Sequence, residues 1–257
     1  MNPTSQTRHR AGSPQRSVFP VAAAWLVHIY TATGTVLAML TVIAVLEGDT
    51  TRALWLGLAA MVVDGTDGMM ARHLQVKRWV PWFDGALLDN IVDYLTYVLA
   101  PMVLLWANGY LPDGVLGGVV AAVPLLASCY QFCRSDAKTD DYFFLGFPSY
   151  WNVVAFYAIV ASFDIGLTTL VILVCTVLVF VPVKYLYPSR TEKLWYLNMA
   201  LSVLWMAVYA VIVALMPDQP TWLIVLSLIY PVYYVGVSLW LTVTFRGGDR
   251  RPALIKA

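Results

Sequence analysis

Asp64-Gly65-Thr66-Asp67-Gly68-Met69-Met70-Ala71-Arg72 closes one long apolar run, and Asp84-Gly85-Ala86-Leu87-Leu88-Asp89-Asn90-Ile91-Val92-Asp93 opens the next. On a helix, Asp64 and Asp67 stand three apart and share a face. Gly85, Asp89 and Asp93 step by four and form a second stripe, with about 6 Å of rise between successive members. A short basic loop containing Lys77 and Arg78 joins the two segments. Adjacent antiparallel helices would therefore bring four carboxylates onto one point. Carboxylates in apolar spans are costly, which makes them functional candidates.

The rest of the chain decides what kind of solvent surrounds these acids. Of 257 residues, 60% are hydrophobic and 12% charged, with a mean hydropathy of +0.71. A soluble domain carries roughly 25% charged residues, and no soluble fold of this length could hide so much apolar surface. A bilayer core about 30 Å thick needs about 20 apolar residues of helix. Eight such runs are present, roughly 19–46, 52–72, 82–106, 115–133, 148–163, 167–186, 194–216 and 221–245, the fifth being the shortest. Breakers separate them: Glu47-Gly48-Asp49, Asn108-Gly109 with Pro112-Asp113-Gly114, Tyr187-Pro188-Ser189, and Pro217-Asp218-Gln219-Pro220. The reading is an all-α, polytopic membrane protein of about eight transmembrane helices. Residues 18–246 form the membrane domain, between a flexible tail at 1–17 and a second tail at 247–257. The apolar run after the first tail is too long for a signal peptide.

Charge fixes the orientation. With both termini cytoplasmic, the inner segments hold fifteen of the sixteen basic residues, and only Arg52 lies outside. Glu47, Asp49, Asp113, Asp164 and Asp218 fall in the outer loops. A Lys/Arg split this lopsided supports an even number of spans. The acids then lie at the cytoplasmic face. Most tryptophans fall near span ends, as an interfacial belt would place them. Cys129, Cys133 and Cys175 lack metal-ligand partners at useful spacing and read as small buried hydrophobes. A net charge of +1 points to no particular partner, and no nucleic acid is expected.

Four like charges cannot be packed together without counter-charge. One arginine is not enough, so helix glue is a poor reading. Hard divalent cations take oxygen ligands, and Mg²⁺ or Mn²⁺ would favour a site completed by substrate phosphates. Two ions roughly 3.5–4 Å apart could clamp a diphosphate during displacement at phosphorus. Gly68 and Ala71 share the face of Asp64, where a bulky side chain would block a nucleotide, and Arg72 is placed to meet phosphate.

The pattern Asp64-x-x-Asp67-Gly68-x-x-Ala71-Arg72, then Gly85-x-x-x-Asp89-x-x-x-Asp93, resembles the signature of the CDP-alcohol phosphatidyltransferases. The motif covers about 30 residues of the chain. Twelve residues, His73 to Asp84, separate its halves, a longer spacer than most of that family carries. The longer form resembles the bacterial phosphatidylcholine synthase subgroup. So do His28-Ile29-Tyr30-Thr31-Ala32-Thr33-Gly34 and Phe144-Leu145-Gly146-Phe147-Pro148-Ser149-Tyr150-Trp151-Asn152.

The resemblance implies a bacterial inner-membrane enzyme in which Asp64, Asp67 and Asp89 ligate the metals. Asp93 would be the general base on the acceptor hydroxyl and would also touch one metal. It implies attack of an alcohol, here choline, on CDP-diacylglycerol with release of CMP. Gly68, Ala71, Gly85 and Arg72 would line the CDP and phosphate site, joined by His28, Thr31 and Thr33. A homodimer stays open. Choline offers no N–H donor, so aromatic faces should recognise it. The candidates are Tyr142, Phe147, Tyr150 and Trp151, with Tyr94 and Tyr97 beside the acidic stripe. Three rivals stand: another acceptor such as serine, inositol phosphate or glycerol phosphate; transfer of phosphocholine from CDP-choline to diacylglycerol; and a cation transporter, against which the clustering of the acids at one face, away from the midplane, argues.

Overall fold

The structure, a computed structural model, describes residues 18–139, 141–191 and 194–244. The two tails expected at 1–17 and 247–257 lie outside the described residues. So do Asp140, Lys193 and the terminal arginines on which part of the orientation argument rests.

Among the described residues, a helical rod overlies each of the eight apolar runs, the fifth and sixth only in part. The rods begin with α1 (Val18–Leu46) and α2 (Thr50–His73), followed by one short turn, α3 (Val76–Trp79), in the basic loop. The third rod is α4 (Gly85–Asp93), a π-helical segment (Tyr94–Leu99) and α5 (Ala100–Ala107). Then come α6 (Gly114–Cys133), α7 (Trp151–Val160), α8 (Ile165–Phe180) and α9 (Trp195–Ala214). The last rod is α10 (Thr221–Ser227) with α11 (Ile229–Thr244). Five rods are long and apolar enough to cross a membrane: Phe19–Leu46, Gly85–Ala107, Gly114–Cys133, Trp195–Ala214 and Thr221–Thr244. The chain is thus a multi-pass membrane protein by the length and composition of its helices.

Aspartates start several rods. Asp49 accepts the Arg52 amide at 2.9 Å, Asp164 the Leu167 amide at 2.8 Å, and Asp84 the amides of Ala86 and Leu87. Each satisfies an orphan donor of a first helical turn. The π segment has a local cause. Pro101 has no N–H to return to the Tyr97 carbonyl, and Ala100 N–H reaches back five residues to Leu95.

The fifth and sixth runs differ from expectation. Residues 148–163 shrink to the ten-residue α7, only about 15 Å long. The helix in 167–186 stops at Phe180, and Lys184–Leu186 becomes strand β2. β2 pairs antiparallel with β1 (Phe143–Leu145), Phe144 opposite Tyr185. The segment before α7 tucks under the end of α8, where Gly146 and Phe147 donate to the carbonyls of Val183 and Leu178. Gly146 has φ +84°, and a Cβ there would press into the Val179 carbonyl, so only glycine fits. Irregular backbone near membrane depth is tolerated when it is covered by protein in this way.

α7 contributes to both large core clusters of the bundle. Phe156 stacks on Tyr209 of α9, and Ala155 and Trp151 face the π segment and α8 side. Trp151 is fully buried, its indole N–H donating to Ser128 of α6, so it is a core residue and not part of an interfacial belt. Cys129 and Cys133 are exposed on α6, against the expectation of burial; Cys175 is partly buried.

Candidate active site

The four aspartates of the two acidic stripes meet at one end of the bundle. α2 delivers Asp64 and Asp67 near its end, and α4 delivers Asp89 and Asp93. Among the described residues, Asp64, Asp89 and Asp93 form one group whose carboxylate oxygens lie within 4.8 Å of one another. Asp67 stands beside that group and not within it, 4% exposed and next to Thr31. Convergence onto one point therefore holds most tightly for three of the four. The Tyr97 hydroxyl donates to Asp64 Oδ2 at 2.5 Å. Lys138 Nζ lies 3.6 Å from Asp89 Oδ2. Burial alone would lower the Lys138 pKa, but Tyr187 and the Asp89, Asp93 and Asp64 carboxylates outweigh it and hold it above the ordinary lysine value. That ammonium offsets part of the clustered negative charge.

The donor set suits a hard divalent cation, since it is all carboxylate oxygen and gathered into a small volume. A single lysine and a tyrosine hydroxyl do not neutralise three carboxylates, so the group fits a metal better than it fits a closed ion-pair network.

A cleft of about 1100 Å³ opens beside the acids. His28, Thr31, Asp67, Gly68, Ala71, Arg72, Gly85 and Asp89 all line it, as do Lys138, Tyr142, Tyr187 and Arg190. Thr33 does not; its hydroxyl donates to the Tyr30 carbonyl of its own helix. Gly85 is explained by packing, because a Cβ there would stand 2.8 Å from His28 Cε1. His28 is otherwise held between Trp25 and Phe83, and its buried Nε2 has no hydrogen-bond partner. At Gly68, a Cβ would meet Arg72 Nη1 at 3.2 Å, so the glycine leaves room for that guanidinium to fold back into the cleft.

The aromatic candidates separate. Tyr97 bonds Asp64, and Tyr150 packs edge-on against Tyr97 and near Tyr234. Tyr142 is exposed at the cleft. Phe147 and Trp151 pack on each other in the core, and the Tyr94 hydroxyl reaches away to the Leu125 carbonyl of α6. Of the six candidates only Tyr142 lines the cleft; Tyr97 and Tyr150 lie behind it, against the acidic group. Ring clusters in sequence do not tell which way each ring points. Lys138, Tyr187 and Arg190 were missed as site residues. In the sequence Lys138 and Arg190 read as inner-side charges, and Tyr187 as part of a helix breaker. The pairing of β1 with β2, invisible in three-residue strands, is what carries Tyr187 and Arg190 to the site.

Fold and site together define an integral membrane protein with a carboxylate cluster and a partly basic cleft at one end of its helices. No family model matches the chain. Among curated proteins it is similar to the phosphatidylcholine synthase of Legionella pneumophila, 43% identical over 173 residues, 67% of this chain and 68% of that one. It is 36% identical over 242 residues to that of Brucella melitensis, 93% of this chain and 86% of the relative. It is 32% identical over 223 residues to that of Borreliella burgdorferi, 85% and 94%. The chain belongs to the phosphatidylcholine synthase family and is an enzyme, a transferase.

Proposed function

We propose that the enzyme transfers the phosphatidyl group of CDP-diacylglycerol to choline, as a branch of the CDP-alcohol phosphatidyltransferases. The observation that carries this reading is the group of Asp64, Asp89 and Asp93, which reaches through Asp89 a cleft lined also by Asp67, Arg72, Lys138 and Arg190. The choline oxygen attacks the lipid-side phosphorus, the bond to CMP breaks, and the hydroxyl proton goes to Asp93. Asp64, Asp67, Asp89 and Asp93 would hold two Mn²⁺ or Mg²⁺ ions, which supply positive charge to the diphosphate as its bond breaks. Tyr97 fixes the orientation of Asp64. His28, Thr31, Gly68, Ala71, Arg72 and Gly85 form the CDP side of the cleft, and the orphaned Nε2 of His28 suits a nucleotide contact.

The quaternary ammonium of choline rests near the acids against Tyr97 and Tyr150, by cation–π attraction and by the nearby carboxylates. Phe147, Trp151 and Tyr94 take no part. All eight rods belong to one membrane domain, with both ends and the active site on the cytoplasmic face of a bacterial inner membrane.

Purified enzyme, given CDP-diacylglycerol with Mn²⁺ or Mg²⁺, is offered choline, serine, inositol, glycerol 3-phosphate and inositol phosphate separately. CMP release with choline alone is expected. Turnover with an anionic acceptor in preference to choline would overturn the acceptor assignment.

A further inference from the structure

Arg190 is an exposed arginine on an otherwise fixed segment. Its guanidinium carbon lies 5.6 Å from the centre of the Tyr142 ring and 5.8 Å from that of Tyr187. Both distances fall within the range of cation–π attraction. Tyr187 is backed on its other side by Phe144, stacked at 4.4 Å. The turn carrying Arg190 is tied down by Thr191, which is 1% exposed. Thr191 Oγ1 accepts the Tyr187 amide at 3.0 Å and donates to the Tyr142 carbonyl at 2.7 Å. A long side chain that would normally sweep through solvent is therefore held over the cleft.

The same cleft holds another cation. Arg72, at the end of α2, lines it too, close enough for the two positive charges to feel each other. Among the described residues neither arginine makes an ion pair, since Asp89 is matched by Lys138 and Asp84 caps α4. Two guanidiniums lining one cleft repel, and Asp67 and Tyr187 offset only part of the positive charge around Arg72. A doubly charged phosphate group between them would relieve the repulsion, because each guanidinium presents a planar fork suited to phosphate oxygens.

We propose that Arg190 and Arg72 form a two-sided clamp on the diphosphate of the nucleotide-activated lipid, with Tyr142 and Tyr187 as the bed that positions Arg190. The assignment rests on CDP-diacylglycerol being the donor. It also gives Tyr142 a role other than choline recognition, and it accounts for the stacked ring of Phe144, which serves the bed and not the acceptor.

The test is equilibrium binding of CDP-diacylglycerol, and separately of free CDP, to purified enzyme in detergent with chelator present, so that no metal contributes. Arg190→Gln is expected to weaken both ligands by about tenfold or more, the size of a lost charge-assisted contact, and Arg190→Lys to recover part of it. In turnover, Arg190→Gln raises the KM for the donor and leaves the KM for choline within about twofold. Unchanged affinity for both ligands, or an effect on choline alone, overturns the clamp. Weakening of the lipid with CDP binding intact also overturns it, because the contact would then be to the glycerol or acyl portion. If the wild-type enzyme binds neither ligand under any condition, the donor assignment falls first and the clamp with it.

Discussion

Tyr97 and Asp64 illustrate how the site is held at the scale of single residues. A 2.5 Å hydrogen bond from a buried tyrosine fixes one carboxylate of the acidic group. Outer-sphere partners of this kind are worth about ten- to a hundredfold in metal affinity. Tyr97→Phe should weaken Mn²⁺ binding by about tenfold, read by direct titration of the ion, while the helices remain intact; unaltered affinity would mean that Asp64 is not a ligand. His28 and Gly85 make a second residue-scale pair. Gly85→Ala places a methyl against the His28 ring and should cost about 1–3 kcal/mol of stability by overpacking. Thermal unfolding checks this, and the double variant Gly85→Ala/His28→Ala should regain most of the loss because the clashing ring is gone. Failure of the second change to restore stability would show that the glycine serves something other than this contact.

At the scale of elements, the acidic stripes were legible because α-helical spacing places residues three and four apart on one face. Asp64, Asp89 and Asp93 meet where that spacing puts them. The rods were legible from runs of apolar residues, and their breakers mark their ends. Less was legible around α7. Ten residues of helix and an irregular approach to it read in sequence as one longer span, since the mostly buried loop at 146–150 is itself largely apolar. The strap of β1 and β2 was not legible at all. Three-residue strands carry no usable period, and Tyr187 and Arg190 reach the cleft from far along the chain.

Aromatic clustering misled for a related reason. Trp151 lies in a run of rings near the site but turns inward to Ser128. Trp151→Phe should therefore cost about 1 kcal/mol through the lost indole hydrogen bond and leave the KM for choline unchanged. A selective rise in the choline KM, with stability unaltered, would return Trp151 to the acceptor pocket.

For the whole molecule, the cleft gathers residues from the first half of α1, the end of α2, the basic loop after it, the start of α4 and the segments around 138–142 and 187–190. These all belong to one end of the bundle, the end at which the basic residues concentrate. Single cysteines introduced at Lys77 and Asp136 should react with a membrane-impermeant thiol reagent only in inverted vesicles, and cysteines at Asp113 and Asp218 only in intact cells stripped of their outer membrane. The reverse pattern would invert the orientation and move the reaction to the other face.

The central claim is that the carboxylate group performs phosphatidyl transfer, with Asp93 taking the proton of choline. The most direct measurement supplies labelled choline, CDP-diacylglycerol and Mn²⁺ to the wild-type enzyme and to Asp93→Asn, following labelled phosphatidylcholine and CMP together. The account predicts one CMP for each phosphatidylcholine formed by the wild type, and a rate about 10²–10⁴-fold lower in the variant, with its affinity for CDP-diacylglycerol retained. Turnover by Asp93→Asn at the wild-type rate would contradict it.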